Sequence, residues 1–300
     1  MLKLLGAYKN GNYNVTIFSD GTKVRETDGE EFIPSFAENC DVKITDKCDG
    51  GCPFCYEGCT SDGKHGDILN YKFLDTLHPY TELAINGNDL SHPDLVAFMY
   101  KMKEKKIILN MTVNQIHFEK HFDVIKKWID EGLIYGIGVS LKDPTKEFID
   151  MIAQLPNAVI HVINGVVSVH DLINLAGHNL KVLILGYKSL RRGENYYEQN
   201  DENIIALQED LDKYLFPEII CNSWFNVVSF DNLAIKQLNV QEHMPKEQWD
   251  EFYMGDDSEF TYFIDMVEGK FSKNSMASTD ERYDILDSVD EMFEKIRLRR

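Results

Sequence analysis

The chain has little cysteine, little positive charge and no long apolar run, and each shortage excludes something. Six cysteines in 300 residues are too few for a disulfide framework in a chain of this length. Lys and Arg number 31 against 50 Asp and Glu, giving a formal net charge of −19. Bulk charge of that sign repels nucleic-acid backbones and anionic lipid, so long nucleic acid is not an expected partner. No apolar stretch approaches a membrane span, and "MLKLLGAYKNGN" is too short for an export signal, so no membrane partner is expected either. The expectation is a protein of the reducing cytoplasm, where grouped thiols are metal ligands or reactive groups.

What is present is regular. With 43% apolar residues the chain can bury a substantial core. "YNVTIF", Ser19-Asp20-Gly21 and "TKVRE" read as a hairpin. From "DVKIT" onward, strands and amphipathic helices alternate: "ELAING", "IILNMTVN", "IYGIGVSL", "AVIHVING" and "KVLILGYK" each precede a helical pattern. Ser91 with Asp94, Asp143 with Pro144, and Ser168 with Asp171 read as helix starts. One helix is expected to carry Phe118, Phe122, Ile125 and Ile129 as its apolar stripe. Strands almost continuously Val, Ile and Leu indicate a parallel sheet covered on both faces. The fold class expected is α/β, a partial (β/α)6 TIM-like barrel, closing to eight units only if "EIICNSW" and "NVVSFDNLAI" supply strands. The organisation expected is an N-terminal β-hairpin segment (1–36), a core barrel (37–240) and a C-terminal α+β extension (241–300), with a hairpin around Gly269 and a helix capped by Ser278 with Glu281. Chemistry in such folds sits on loops after the strands' C-terminal ends.

Such a loop follows "DVKIT". In "KCDGGCPFCYEGC", Cys48, Cys52 and Cys55 form C-x3-C-x2-C, with Cys59 four residues on. Thiolates bind soft metals, so zinc and iron–sulfur clusters are the candidates. A structural zinc site usually joins two separated ligand pairs, and Cys40 and Cys221 stand alone. A local zinc site of Cys48, Cys52 and Cys55 with Cys59 or His65 remains open. So does a [4Fe–4S] cube on three thiolates, with one iron left for chemistry.

The C-x3-C-x2-C spacing, with Phe54 just before the last cysteine and the loop on the first barrel strand, resembles the radical S-adenosylmethionine superfamily. The resemblance implies Cys48, Cys52 and Cys55 as ligands of a [4Fe–4S] cluster whose fourth iron holds S-adenosylmethionine, and the Phe54 backbone as an adenine contact. It implies reductive cleavage of that cofactor to a 5′-deoxyadenosyl radical that takes hydrogen from a substrate. A one-electron donor such as flavodoxin or ferredoxin is implied as a partner. Cys59 is then a bystander. "NGNDLSHPDL" aligns with the family's Gly-Gly-Glu strand end, placing Asn86, Gly87 and Asn88 there, with Asn88 where the family has the glutamate that accepts from the cofactor's ammonium group. Further strand ends point to Asn114, Ser140 and the Asn164-Gly165 turn as cofactor contacts. The family's fifth-strand pattern is only half kept, at His161, Ile163, Gly165 and Ser168; His161 reads as a core histidine and Ser168 as a helix cap. No cysteine follows Cys221, so a Cys-rich C-terminal module is not expected. "GYKSLRRG", with Lys188, Arg191 and Arg192, is the one local basic cluster. It is either a contact for an anionic group or electron donor, or solvated loop charge. The substrate expected is a small molecule or a peptide. Modification of a nucleotide or nucleic acid, and a zinc-stabilised binding protein without catalysis, are the alternatives.

Overall fold

The computed structural model describes residues 2–298. Its N-terminal segment is a three-stranded antiparallel meander: β1 (Leu4–Asn10), β2 (Tyr13–Phe18) and β3 (Lys23–Thr27). The expected hairpin is its second half, with β1 added along the outer side of β2.

The rest is organised by one ten-stranded sheet. Strands β4 (Asn39–Lys43), β5 (Glu82–Asn88), β6 (Ile108–Asn114), β7 (Gly136–Ser140), β8 (Ala158–Ile163), β9 (Lys181–Leu185) and β10 (Val227–Phe230) follow one another in parallel. β11 (Thr261–Asp265) pairs in parallel with the other side of β4, and β12 (Lys270–Ser272) and β13 (Tyr283–Asp284) continue antiparallel. The hairpin around Gly269 is therefore real, and residues beyond 240 share the core sheet. "NVVSFDNLAI" does contribute a strand, whereas "EIICNSW" does not: Leu215–Ile220 is a π-helical turn extending a long helix. β10 and β13 are the sheet's edges, so it is a TIM-like wrap that stays open.

The helices pack outside. They include α1 (Leu95–Glu104), α2 (Gln115–Lys120), α3 (Phe122–Asp130), α4 (Lys146–Ile152), α5 (Val169–Leu175), α6 (Arg192–Tyr214) and α7 (Asn232–Gln237). Alternate residues of the strands, such as Leu83, Ile85, Leu109, Ile137, Val139, Ile160 and Val182, are buried against them. The Ser168–Asp171 capping box forms as expected. Elsewhere the starts move. α1 begins after Asp94, because the Ser91 hydroxyl donates to Asp89 instead of capping. Thr145 caps α4. The expected long helix at 115–130 is two, broken at His121. Ser278 and Glu281 close a short 3-10 turn, and the last helix, Val289–Arg297, is capped by Ser288.

The meander closes the N-terminal end of the wrapped sheet. Asn157, just before β8, donates to the Ser19 carbonyl at 2.8 Å. Lys181, opening β9, donates to the Asp20 carbonyl at 3.3 Å. Lys23 pairs with Glu82 at 2.6 Å and Glu38 at 3.2 Å, and Arg25 also grips Glu38. Burial would raise the Glu38 pKa, but Lys23 and Arg25 outweigh it and hold the carboxyl below its ordinary value.

Candidate functional site

On the concave side, the strand residues that alternate with the buried set face a cavity of about 670 Å³, within the range of small-molecule sites. The turn Ser19–Gly21 lines its floor, and Cys48, Cys52 and Cys55 line its wall. Small residues make the space. Inward positions Ala84 and Gly136 present almost no side chain, where a filled barrel carries bulky layers. Gly138 also lacks one, and a Cβ there would collide with the His161 ring. His161 was expected in the core. It faces the cavity instead, because apolar neighbours in "AVIHVI" do not distinguish a filled interior from a hollow one. Burial pushes its pKa down to about 4, so the imidazole is neutral near pH 7.

The thiol loop is held from three directions. From β5, Asn86 accepts from the Ile44 amide at 2.7 Å and donates to the Thr45 carbonyl at 2.9 Å and to Glu57 at 3.1 Å. Asn88 donates to the Thr45 and Lys47 carbonyls at 3.3 and 3.1 Å and to the Cys59 sulfur at 3.5 Å. From α2, the Asn114 side chain accepts from the His117 amide at 3.0 Å and donates to the Cys48 sulfur at 3.5 Å. The buried His117 ring bonds Asp49, next to that cysteine. From the start of α6, Arg191 donates to the Glu57 carbonyl at 2.8 Å, and Arg192 donates to the carbonyls of Cys52 and Cys59 at 3.2 and 2.7 Å. The basic cluster thus clamps the loop. Its isolation in an acidic chain was the available signal; nothing in the sequence pairs His117 with Asp49.

The Cys48 and Cys52 thiols are pushed up by burial. The hydrogen bond with Cys59 favours a Cys55 thiolate and keeps Cys59 protonated. Cys59 also donates to Glu57 at 3.5 Å. Among the described residues no three His, Cys, Asp or Glu side chains converge into a metal-holding group. The donor set nevertheless suits an iron–sulfur cluster: three soft thiols share one cavity, and the Gly50 amide (3.4 Å) and Asn114 donate to the Cys48 sulfur. Gly50 leaves a cradle, since a Cβ there would stand 2.9 Å from the Asn114 amide nitrogen and 3.3 Å from that sulfur.

The structure divides the other expected residues. Asn88, Asn114, Ser140 and Phe54 line the cavity. The Asn88 side-chain oxygen accepts no hydrogen bond among the described residues, whereas Asp89 is closed onto Ser91. Phe54 also bounds a side pocket of about 50 Å³ with Ser140, His161 and Val166. Asn86 lines the cavity too, with its polar atoms engaged by the loop. Three of the expected residues lie outside the cavity lining. Gly87 sits in a register shift of β5, where a Cβ would meet Met111 at 2.7 Å. Gly165, at φ +90°, lies against Ile204 and Gln208 of α6. Asn164 is buried outside the cavity and donates to Gln237 at 3.2 Å.

The second side of the cavity is charged. Asp41, Lys188 and Asp231 line it with Tyr56 and Ser275. Lys188 lies 3.9 Å from Asp231, 3.4 Å from the Ser275 hydroxyl and 4.4 Å from the Tyr56 ring centre. Asp41 was passed over in the sequence, although an inward carboxylate in the middle of a buried strand is a readable signal.

No family model and no curated protein matches the chain. Solved structures do match in fold. Streptococcus suis SuiB bound to S-adenosylmethionine aligns with a TM-score of 0.56 at 15% identity, over 87% of this chain and 64% of SuiB. SuiB bound to the precursor peptide SuiA aligns with a TM-score of 0.54 at 15% identity, over 80% and 60%. The chain spans less than two thirds of SuiB, and the likeness at this identity is one of fold.

Proposed function

We propose that this chain is a radical S-adenosylmethionine enzyme acting on a peptide or small molecule. The observation that carries the reading is the C-x3-C-x2-C loop after β4, whose three thiols line the lumen of an open parallel wrap. The fold shared with a protein solved with S-adenosylmethionine supports it, and the precursor peptide bound to that same protein favours a peptide substrate. Cys48, Cys52 and Cys55 hold the [4Fe–4S] cluster. When bound, cluster and cofactor supply a 5′-deoxyadenosyl radical able to take a hydrogen atom from a substrate. The electron comes from a flavodoxin- or ferredoxin-type donor.

The chain's own residues do the rest. The free Asn88 oxygen accepts from the cofactor's ammonium group, and the Ser140 hydroxyl, the Asn114 amide and the Phe54 backbone bound its nucleoside. A neutral His161 would add no positive charge to a lumen that holds a sulfonium cofactor. The floor made by the meander keeps bulk water from the far end of the lumen.

Anaerobic reconstitution with iron and sulfide tests the reading. Brown protein with about four irons per chain, which releases 5′-deoxyadenosine and methionine once reduced, is the expected outcome. Cys48→Ala, Cys52→Ala and Cys55→Ala should each lose the cluster, and Cys59→Ala should keep it. Colourless protein carrying one zinc, or an intact reducible cluster that never cleaves the cofactor, sinks it.

A further inference from the structure

Three carboxylates that line the cavity, Asp20, Asp41 and Glu57, make no ion pair among the described residues; Asp20 accepts from the Thr22 amide and Glu57 from Asn86 and Cys59, which leaves Asp41 the most open of the three. Among the described residues no Lys, Arg or His lies within 4 Å of Asp41 in an ion pair; Asn39 is its hydrogen-bonding neighbour. Lys188, whose charge acts on Asp41, is shared by Asp231, Ser275 and the Tyr56 ring. The surrounding protein wall, with the charges of Asp257 and Asp231, raises its pKa against the opposing pull of Lys188 and Asn39. Its side chain is accessible from the lumen, so a cationic group that enters the cavity can reach it.

The layer beside it carries little side-chain bulk. Asp41 is in register with Ala84, Ala84 with Asn110, and Asn110 with Gly136. Ala84 and Gly136 leave that layer open, so the void reaches Asp41 past the level of the thiol loop. Asp41 precedes Lys43 by two residues, about 7 Å along a strand, and the thiol loop begins beyond Lys43. That depth matches the stem of a basic side chain. The −19 net charge of the chain independently favours a basic partner, which it attracts over long range.

We propose that the substrate carries a flexible side chain ending in an ammonium or guanidinium group, which enters the lumen and pairs with Asp41. The substrate class is thus a peptide or small molecule with a lysine- or arginine-like arm. The inference rests on the reading of this cavity as a substrate site.

The probes are N-acetyl methylamides of lysine, arginine, norleucine and glutamate, titrated into the reduced chain by calorimetry. The wild-type chain should bind the lysine or arginine probe at least roughly tenfold more tightly than norleucine, the scale of one charge-assisted hydrogen bond. Asp41→Asn should erase that preference, and Asp41→Glu should retain it. Melting curves establish that both variants fold. No cationic preference in the wild-type chain, including no measurable binding of any probe, overturns the proposal. So does an Asp41→Asn variant that keeps the preference. Cofactor cleavage by the wild-type enzyme without substrate is measured separately. Its absence would count against the radical reading, whereas a wild-type chain that cleaves the cofactor but shows no cationic preference, or an Asp41→Asn variant that keeps one, counts against Asp41 alone.

Discussion

Replacing Asn88 by Ala, Asp and Glu separates a tether from an acceptor. The side-chain amide nitrogen holds the thiol loop through the Thr45 and Lys47 carbonyls and the Cys59 sulfur, while its oxygen remains open to the cavity. Thr45 keeps a second donor in Asn86, at 2.9 Å, so Asn88→Ala strips the side-chain donor from the Lys47 carbonyl and the long contact to the Cys59 sulfur, about 1 kcal/mol. Asn88 also sits at φ +49°, where Ala is strained by about 1 kcal/mol more. The metal-free protein should therefore melt roughly 4 °C lower. In the reconstituted enzyme, Ala also removes the acceptor for a charged ammonium, worth about 1.5–3 kcal/mol or roughly 10- to 150-fold in cofactor affinity. Asn88→Asp gives the opposite pairing. It cannot donate and sets a carboxylate against two carbonyl oxygens, so stability falls at least as far, yet cofactor affinity holds or rises. Asn88→Glu should behave like Asp, which explains why a chain that anchors its loop from this position carries an amide. Melting curves and equilibrium dialysis of S-adenosylmethionine under anaerobic conditions read the two effects. Wild-type cofactor affinity in Asn88→Ala would refute the acceptor role. That role passes to the neighbouring residue if Asp89→Ala is the crippled variant.

Two further outcomes follow from the clamps. Glu38 is 1% exposed and paired with Lys23 and Arg25, so Glu38→Gln should cost about 3–5 kcal/mol in urea unfolding. Because its folded pKa lies below the ordinary 4.5, its stabilisation is full above that pH. It is lost as pH falls from 4.5 through the folded value. The acid limb of wild-type stability should flatten in Glu38→Gln, and an unchanged limb would place the acid sensitivity elsewhere. Arg192→Ala leaves the carbonyls of Cys52 and Cys59 without their guanidinium donor. Amide exchange over residues 52–60 should then quicken about tenfold or more, and unchanged protection would show that the loop does not depend on this clamp.

Much of the scaffold is legible because it is local. The six strands from β4 to β9 announce themselves by apolar runs, and the Ser168–Asp171 box by its own spacing. What escaped depends on distant partners. "KLLGAYKN" becomes a strand only because β2 offers an edge, and β11 belongs to the core only through its parallel pairing with β4. Ser91 looks like a cap, but Asp89 takes its hydroxyl. The motif reading located the thiol loop but treated Asn86 and Asn88 as cofactor contacts. The tertiary structure adds that both are also anchors of the loop, a role that spacing does not display.

The hollow interior and the N-terminal meander explain each other. Ala84, Gly136 and Gly138 point inward where a filled barrel needs bulk, and the absent side chains forgo core burial worth about 1.5–3 kcal/mol for each large apolar residue. A lumen emptied this way opens at both ends unless something seals the side away from the thiols. The Ser19–Gly21 turn does so, and its seat is polar. Asn157 and Lys181 hold its carbonyls, while Lys23 ties β3 to Glu82 at the start of β5. An apolar plug would seal as well but would leave Glu82 and Glu38 uncompensated. The ion pairs therefore fix where the floor sits, and the floor's position sets the depth available to a side chain reaching Asp41. Shortening the β2–β3 turn should deepen the cavity without disturbing the thiol loop, since none of the loop's hydrogen-bond partners lies in the meander.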